Sequence, residues 1–331
     1  MSTNASREGL RNAPRCDFPS TTRRLADHRK QALVPLLCLV VAIVLWGANW
    51  PVMKVGLAHV TPVWFSALRF GTGGAVLFVA QIFRGGIRLP KRGDLPFVAS
   101  IGLLQMAAFT MLGALAMTHL GAGRSAILSY TTPLWVTPIS IIVFRENVGR
   151  LRIGGIMLAA FGVATLVNPS AIDWGNPVVV ASNGALLIAS ICWALCIIHL
   201  RYFKAVSSAF DLAPWQMLLA TIVLVPLAWI IEGGFSADDT ITFYASTVFV
   251  GPVATAFCFV AVNAASSWLP ATTMSTAMLG VPVTGVLLSL LLLGEPLTAP
   301  LAAGTSAIVI GIMLNAIPRR KPNRQTFRRR K

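Results

Sequence analysis

Residues 116–162 read AMTHLGAGRSAILSYTTPLWVTPISIIVFRENVGRLRIGGIMLAAFG, and residues 265–311 carry the same landmarks 149 positions later. Pro133 lies over Pro282, Glu146 over Glu295, Gly155 over Gly304 and Gly162 over Gly311. Both copies therefore read P-x12-E-x8-G-x6-G, with Ala116/Ala265, Leu120/Leu269, Ala122/Ala271 and Ser140/Ser289 also identical. Most of these residues punctuate structure rather than fill it, and the alignment needs no gap. The chain is an internal duplication.

The rest of the chain supplies the solvent in which that duplication folds. Of its 331 residues 56% are hydrophobic and 11% charged, and the mean hydropathy is +0.73. That is too apolar for a soluble domain. The apolar residues fall in runs of about 20, the length that crosses a hydrocarbon core of about 30 Å. Ten such runs are expected, near 33–53, 62–81, 95–117, 123–144, 151–167, 178–199, 212–231, 243–263, 268–293 and 298–317. The fold class that follows is an all-α integral membrane protein of ten transmembrane helices. Its parts are a basic tail (1–32), a first repeat of five spans (33–167), a second (178–317) and a second basic tail (318–331).

The net charge of +16 could suggest a nucleic-acid partner, but the distribution of charge argues against one. When alternate loops are assigned to opposite sides, 24 of the 27 Lys and Arg fall on the side that holds both termini. Only Lys54 and Arg124 fall on the other, and Arg69 lies inside a span. This asymmetry places both termini in the cytoplasm. The partner it implies is the lipid bilayer, and Arg319–Lys331 is suited to anionic headgroups.

Five spans per repeat is an odd number, so the second repeat is expected upside down relative to the first. Landmarks outside the core alignment agree with five. Trp46 precedes Lys54 by eight residues, as Trp193 precedes Arg201, and Pro62 and Pro214 each stand near a span start. Inverted repeats are the usual construction of secondary transporters, because exchanging the two halves' conformations moves the opening from one side to the other.

Trp46-Gly47-Ala48-Asn49, Lys54, Pro62 and Arg69-Phe70 resemble the opening of an EamA-type repeat. Ala116, Leu120, Ala126, Pro133, Glu146, Gly155 and Gly162 resemble its close, and Leu293-Gly294-Glu295-Pro296-Leu297-Thr298 is similar again. The region 33–317 thus resembles the drug/metabolite transporter superfamily. The resemblance implies ten helices in two five-helix repeats and export of amino acids or other small metabolites. Two departures stand out. Arg145-Glu146-Asn147 replaces Gly-Glu-Pro, and span 6 lacks Gly-Asn after its Trp.

Candidate substrate-binding residues come from two signals. Pro133 and Pro282 each interrupt a span, and paired interruptions in two inverted halves point to a transport site. Ser129, Tyr130 and Thr131 supply hydroxyls at the first break, and Met278 and Gly280 supply softness and backbone access at the second. The alternative is that both prolines only kink helices for packing. The second signal is Arg69, the one ionisable residue well inside a span, where a charge costs about 2.5–3.5 kcal/mol or more at mid-depth. A substrate carboxylate or phosphate would suit its fork; snorkelling or bonding to backbone carbonyls is the alternative. Trp46, Asn49 and Trp193 are expected to line the cavity, and Trp50, Trp64, Trp174 and Trp268 to anchor at interfaces.

Other features are read as structural. Glu146 and Glu295 sit at span ends, where capping the next helix or pairing with loop arginines such as Arg150 and Arg152 is the expected role. Gly155/Gly162 and Gly304/Gly311 lie on single helix faces and indicate close helix packing. Cys192 and Cys196 share a face without a His or carboxylate beside them, so no metal is expected. No cofactor motif and no P-loop occurs, and neither a nucleophile–base pair nor a metal motif lies at membrane depth. The expectation is a non-enzymatic secondary transporter of the inner membrane that exports a small polar metabolite, such as an amino acid, by alternating access. The competing reading is import or exchange of a phosphorylated or nucleotide-linked metabolite; an intramembrane enzyme is the remote one. Proton or ion coupling stays open because no carboxylate is buried deeply enough to be an obvious relay. The sequence is silent on oligomeric state.

Overall fold

The computed structural model describes residues 21–146, 149–167, 173–266, 268–269, 273–274 and 277–316, with side chains for those between 34 and 314. Both basic tails, apart from 21–32, and several residues of the expected ninth span lie outside the described residues. Apart from one isolated bridge between Val60 and Ala237, the regular structure among the described residues is helical. In hydrocarbon no water satisfies the backbone, and a helix pairs its N–H and C=O groups within one segment.

The helices are α1 (Thr21–Gly56), α2 (Pro62–Phe83), α3 (Arg92–Met117), α4 (Ala122–Ser129), α5 (Pro133–Ile142) and α6 (Arg150–Leu166). The second half contributes α7 (Pro177–Tyr202), α8 (Ala209–Glu232), α9 (Ile241–Ser266), α10 (Gly280–Leu293) and α11 (Ala299–Ala316). Seven segments are long and apolar enough to cross a membrane: Val34–Gly56, α2, α3, Ala122–Ile142, α7, α8 and α9. The chain is a multi-pass membrane protein. The remaining helices, α6, α10 and α11, run 17, 14 and 18 residues.

The 149-residue offset of the sequence reappears in three dimensions. It carries α3 onto α9 residue for residue, and it carries a π-helical stretch in α3, Ser100–Ala108, onto another in α9, Phe249–Phe257. In each stretch the backbone bonds span five residues instead of four, which widens the helix locally. Equivalent helices also run antiparallel. Glu232, at the end of α8, accepts the amides of Val63 and Trp64 at the start of α2, at 2.8 and 3.1 Å. At the other end of α2, Gln81 donates to the carbonyls of Phe210 and Asp211, where α8 begins.

The glycine rows fulfil their expected role between α6 and α11. A Cβ on Gly162 would lie 2.7 Å from the Gly304 carbonyl oxygen, and one on Gly311 would lie 2.5 Å from that of Gly155. The crossing joins 155 to 311 and 162 to 304, so these helices too are antiparallel. Gly47 brings α1 equally close to α10, where a Cβ would stand 2.6 Å from Thr284 Cβ.

The turn after each repeat's fourth apolar segment has the same left-handed backbone. Gly294 has φ 63°, and Arg145 at the equivalent position has φ 52°. Glycine adopts this conformation freely, whereas a residue with a Cβ meets its own following carbonyl. The Arg-for-Gly departure is therefore a change of residue on a retained backbone.

Candidate functional site

A cavity of about 140 Å³ opens where both repeats meet. Helix α1 contributes Trp46, Asn49, Trp50 and Met53, and α2 contributes Arg69 and Phe70. The π-helical stretch of α3 supplies Gln105 and Met106; that of α9 supplies Ala254 and Thr255 at the offset positions. Phe109, Thr110 and Gly113 follow on α3, with Tyr130 after α4, Trp193 on α7, Met217 on α8 and Phe259 on α9.

The irregular backbone of α9 organises the polar corner. Trp46 Nε1 donates to the Ala254 carbonyl at 2.6 Å, and Thr255 Oγ1 donates to the Val250 carbonyl five residues back at 2.6 Å. With its proton committed there, the Thr255 hydroxyl accepts from Arg69 Nε at 2.8 Å. Arg69 Nη1 and Asn49 Nδ2 converge on one sulfur, Met53 Sδ, at 3.3 and 3.2 Å. A thioether is a weak acceptor, so the guanidinium is positioned with little of its hydrogen-bonding capacity used. Asn49 Oδ1 is buried and has no partner among the described residues. No Asp or Glu lines this cavity among the described residues.

Another part of the lining is aromatic. Trp193 meets Phe109 and Tyr130 edge-on, each at 5.1 Å between ring centroids, and Tyr130 meets Trp50 at 6.5 Å. Edge-to-face pairs hold one another's rotamers, so the wall has a fixed shape. The arrangement can take a molecule with an anionic group at the Arg69 corner and an apolar or ring portion against the wall.

Of the eight sequence candidates, Arg69, Trp46, Asn49 and Tyr130 meet at this cavity, whereas Ser129, Thr131, Met278 and Gly280 are not among its lining residues. Ser129 is fully buried with no hydroxyl partner among the described residues, and Thr131 Oγ1 bonds the Leu128 carbonyl and Ser190 Oγ. Gly280 faces Ile43 of α1, and Met278 lies in the turn before α10. Both spans are interrupted, but Pro133 is the first residue of α5 rather than the breaking residue, which places the break at Tyr130–Thr132. Pro282 likewise falls in the first turn of α10, where its missing N–H costs nothing.

Several sequence expectations are corrected. Arg69 neither snorkels nor bonds carbonyls; Thr255 and Met53 hold it. Trp50 and Trp64 are not interfacial anchors: Trp50 is 5% exposed and lines the cavity, and Trp64 donates to the Gly233 carbonyl at 3.0 Å. Both lie near span ends in sequence, yet face inward in space. Glu146 pairs with an arginine from farther along the chain, Arg201 at the end of α7, at 2.8 Å, and accepts from Tyr202 Oη at 2.6 Å. Glu295 caps α4 rather than the next helix, accepting from the amides of Ala122 and Gly123 at 2.5 and 3.0 Å.

Sequence reasoning missed Gln105 and Thr110. The readable signal was a polar residue inside an apolar run, the same signal that singled out Arg69. Phe109, Met53 and Met217 carry no such mark, because an aromatic or Met within a span is ordinary packing material until the fold turns it toward a cavity.

Residues 33–168 and 182–317 each match the profile of the EamA-like transporter family, with start and end displaced by the same offset. An uncharacterised transporter of Bacillus subtilis, YoaV, is 24% identical over 89% of this chain and 98% of its own length. A probable terminal-alkyne amino-acid exporter of Streptantibioticus cattleyicolor is 26% identical over 88% of this chain and 94% of its own. A probable amino-acid metabolite efflux pump of Salmonella typhimurium is 26% identical over 87% and 95%. One solved structure, described only as the crystal structure of a protein, superposes with a TM-score of 0.60 at 20% identity, covering 85% of this chain and 95% of that one.

Proposed function

This chain belongs to the EamA-like transporter family, and from that premise we propose that it exports a small zwitterionic metabolite of the amino-acid class by alternating access. The observation that carries the reading is the corner of the cavity: among the described residues no Asp or Glu lines it, the Arg69 fork is held by Thr255 and Met53, and Asn49 Oδ1 beside it has no partner. A substrate carboxylate supplies the anion the guanidinium lacks, as a charge-assisted pair. An ammonium group supplies the donor that Asn49 Oδ1 lacks. The aromatic wall then takes the side chain. Two relatives carry amino-acid export in their names, which supports the class of cargo.

The membrane arrangement is part of the same proposal. Ten spans in two inverted repeats, with both termini in the cytoplasm of an inner membrane, account for the distribution of basic residues. The antiparallel pairs α2/α8 and α6/α11 support inversion. Exchange of the two repeats' conformations would expose the cavity first to one side and then to the other.

A phosphorylated or nucleotide-linked cargo is the weaker reading. A phosphate of charge near −2 calls for more than one cation, and Arg69 is the only Lys or Arg among the described residues that line the cavity. Lys54, the other candidate, donates to the carbonyls of Met117 and Leu120. The test is comparative metabolite profiling of medium and cytoplasm with the protein overproduced and with it absent. Export predicts that one amino-acid-like compound rises outside and falls inside. Accumulation of a compound inside, with no external pool moved, would reverse the direction.

A further inference from the structure

On the proposed alternating-access reading, we infer that Lys54 and Glu295 form a releasable latch on the α3–α4 hairpin, closing one mouth of the cavity. The two residues grip the two arms of one turn. Lys54 Nζ donates to the carbonyls of Met117 and Leu120 at the end of α3, the latter at 2.9 Å. Glu295 accepts the first amides of α4. Each helix end thereby receives the charge its dipole favours, a cation at the carbonyl end and an anion at the amide end. Lys54 belongs to α1 and Glu295 to the turn after α10, so the hairpin is held from two separate elements.

The seat for the carboxylate is shaped for it. A Cβ on Gly121 would lie 3.0 Å from Glu295 Oε1, and one on Gly123 would lie 3.2 Å from Oε2. The left-handed Gly294 ends α10 and turns Glu295 back toward the hairpin. Cap and seat belong together.

The equivalents in the other half show that this charge set has a second arrangement. The offset makes Glu146 the counterpart of Glu295, and Arg201 follows Trp193 as Lys54 follows Trp46. These two bind each other, with Arg201 Nη2 2.8 Å from Glu146 Oε1. The same pairing is open to Lys54 and Glu295 once they leave the hairpin. Released, the pair neutralises itself; engaged, it holds α3 and α4 shut. The engaged form makes bonds to partly buried backbone groups, whereas the free pair is an exposed ion pair of small net worth, so neutralising either residue favours release.

The test is conformational and needs no known substrate. Gly113→Cys places a thiol in the cavity, where an added Cβ meets nothing within 4 Å. In an otherwise cysteine-free background, intact cells are labelled with a membrane-impermeant maleimide. Glu295→Gln and Lys54→Gln are each expected to label at least tenfold faster than the parent. The exchange Lys54→Glu with Glu295→Lys keeps the free pair but puts the wrong charge at both helix ends, and it should label faster still. A cap that holds the helix ends without gating the mouth predicts the parental labelling rate in all three variants. Parental labelling rates in both single variants, or an exchanged pair no faster than Glu295→Gln, overturn the latch. If labelling changes while no compound is moved by the parent, the latch stands and the export reading fails; if export is lost at a parental labelling rate, the reverse holds.

Discussion

Gly162→Ala tests the packing of the two repeats with a magnitude set by the coordinates. The new Cβ would meet the Gly304 carbonyl oxygen at 2.7 Å, Ile308 Cγ1 at 2.8 Å and the Ile308 amide nitrogen at 2.9 Å. Two of these three atoms are backbone, so no rotamer change relieves them and α6 must move away from α11 by several tenths of an ångström. Insertion of one methyl into a packed interior costs about 1–3 kcal/mol, and the backbone obstruction puts this substitution in the upper half of that range. Gly154→Ala is the internal control, because a Cβ there meets nothing within 4 Å and alanine is the better helix former. The assay is the thermal unfolding midpoint of the purified protein in one detergent. Gly162→Ala should lower it and Gly154→Ala should not. The pairing also predicts non-additivity. Gly311→Ala strikes the Gly155 carbonyl on the same interface. Helices already spread by one methyl should accept the second at less than its separate cost. Full additivity of the double variant, or a parental midpoint for Gly162→Ala, would refute the close crossing.

Four further expectations follow from named contacts. Arg145→Gly keeps the left-handed turn and removes the Cβ conflict at φ 52°, so it should stabilise by about 1 kcal/mol, read as a raised midpoint. Gly113→Leu fills the cavity without an obstructing neighbour, and export should disappear at unchanged membrane abundance. Trp46→Phe removes the side-chain donor to the Ala254 carbonyl beside the site, so the export rate should fall several-fold with the fold intact. On the loop after α8, the hydrogen bond from His59, with further bonds from Thr240, holds the Asp238 carboxyl below the usual carboxylate range. A lowered folded value contributes stability above the unfolded pKa and loses it as pH falls through the folded one. Asp238→Asn should therefore flatten the acid limb of the stability–pH curve.

The all-α membrane class and the duplication were legible in this sequence because its landmarks are residues with steric meaning. Pro, Gly and a helix-end Glu recur at fixed spacing, and apolar run length is dictated by the bilayer. The same offset organises α3 and α9 down to their π-helical stretches, although nothing local in either sequence announces a widened turn. Half of the site was legible for a related reason. A charge or an amide inside an apolar run is costly, so Arg69 and Asn49 drew attention. Of the aromatic wall only Tyr130 and Trp193 were legible, since Phe109 becomes part of a surface only when α3 and α7 face each other. Glu295 was recognised as a cap, but its helix lies 172 residues away in sequence, and no local spacing rule reaches that far.

Recognition of a carboxylate by Arg69 is the central claim, and it is tested most directly with reconstituted vesicles. An amino acid shown to be exported is compared with its uncharged amide, in the parent and in Arg69→Gln. Loss of one charge-assisted pair, about 1.5–3 kcal/mol, corresponds to roughly ten- to hundredfold. The parent should therefore prefer the carboxylate by at least tenfold, and Arg69→Gln should erase that preference. Equal transport of acid and amide by the parent, or an undiminished preference in Arg69→Gln, would contradict the account.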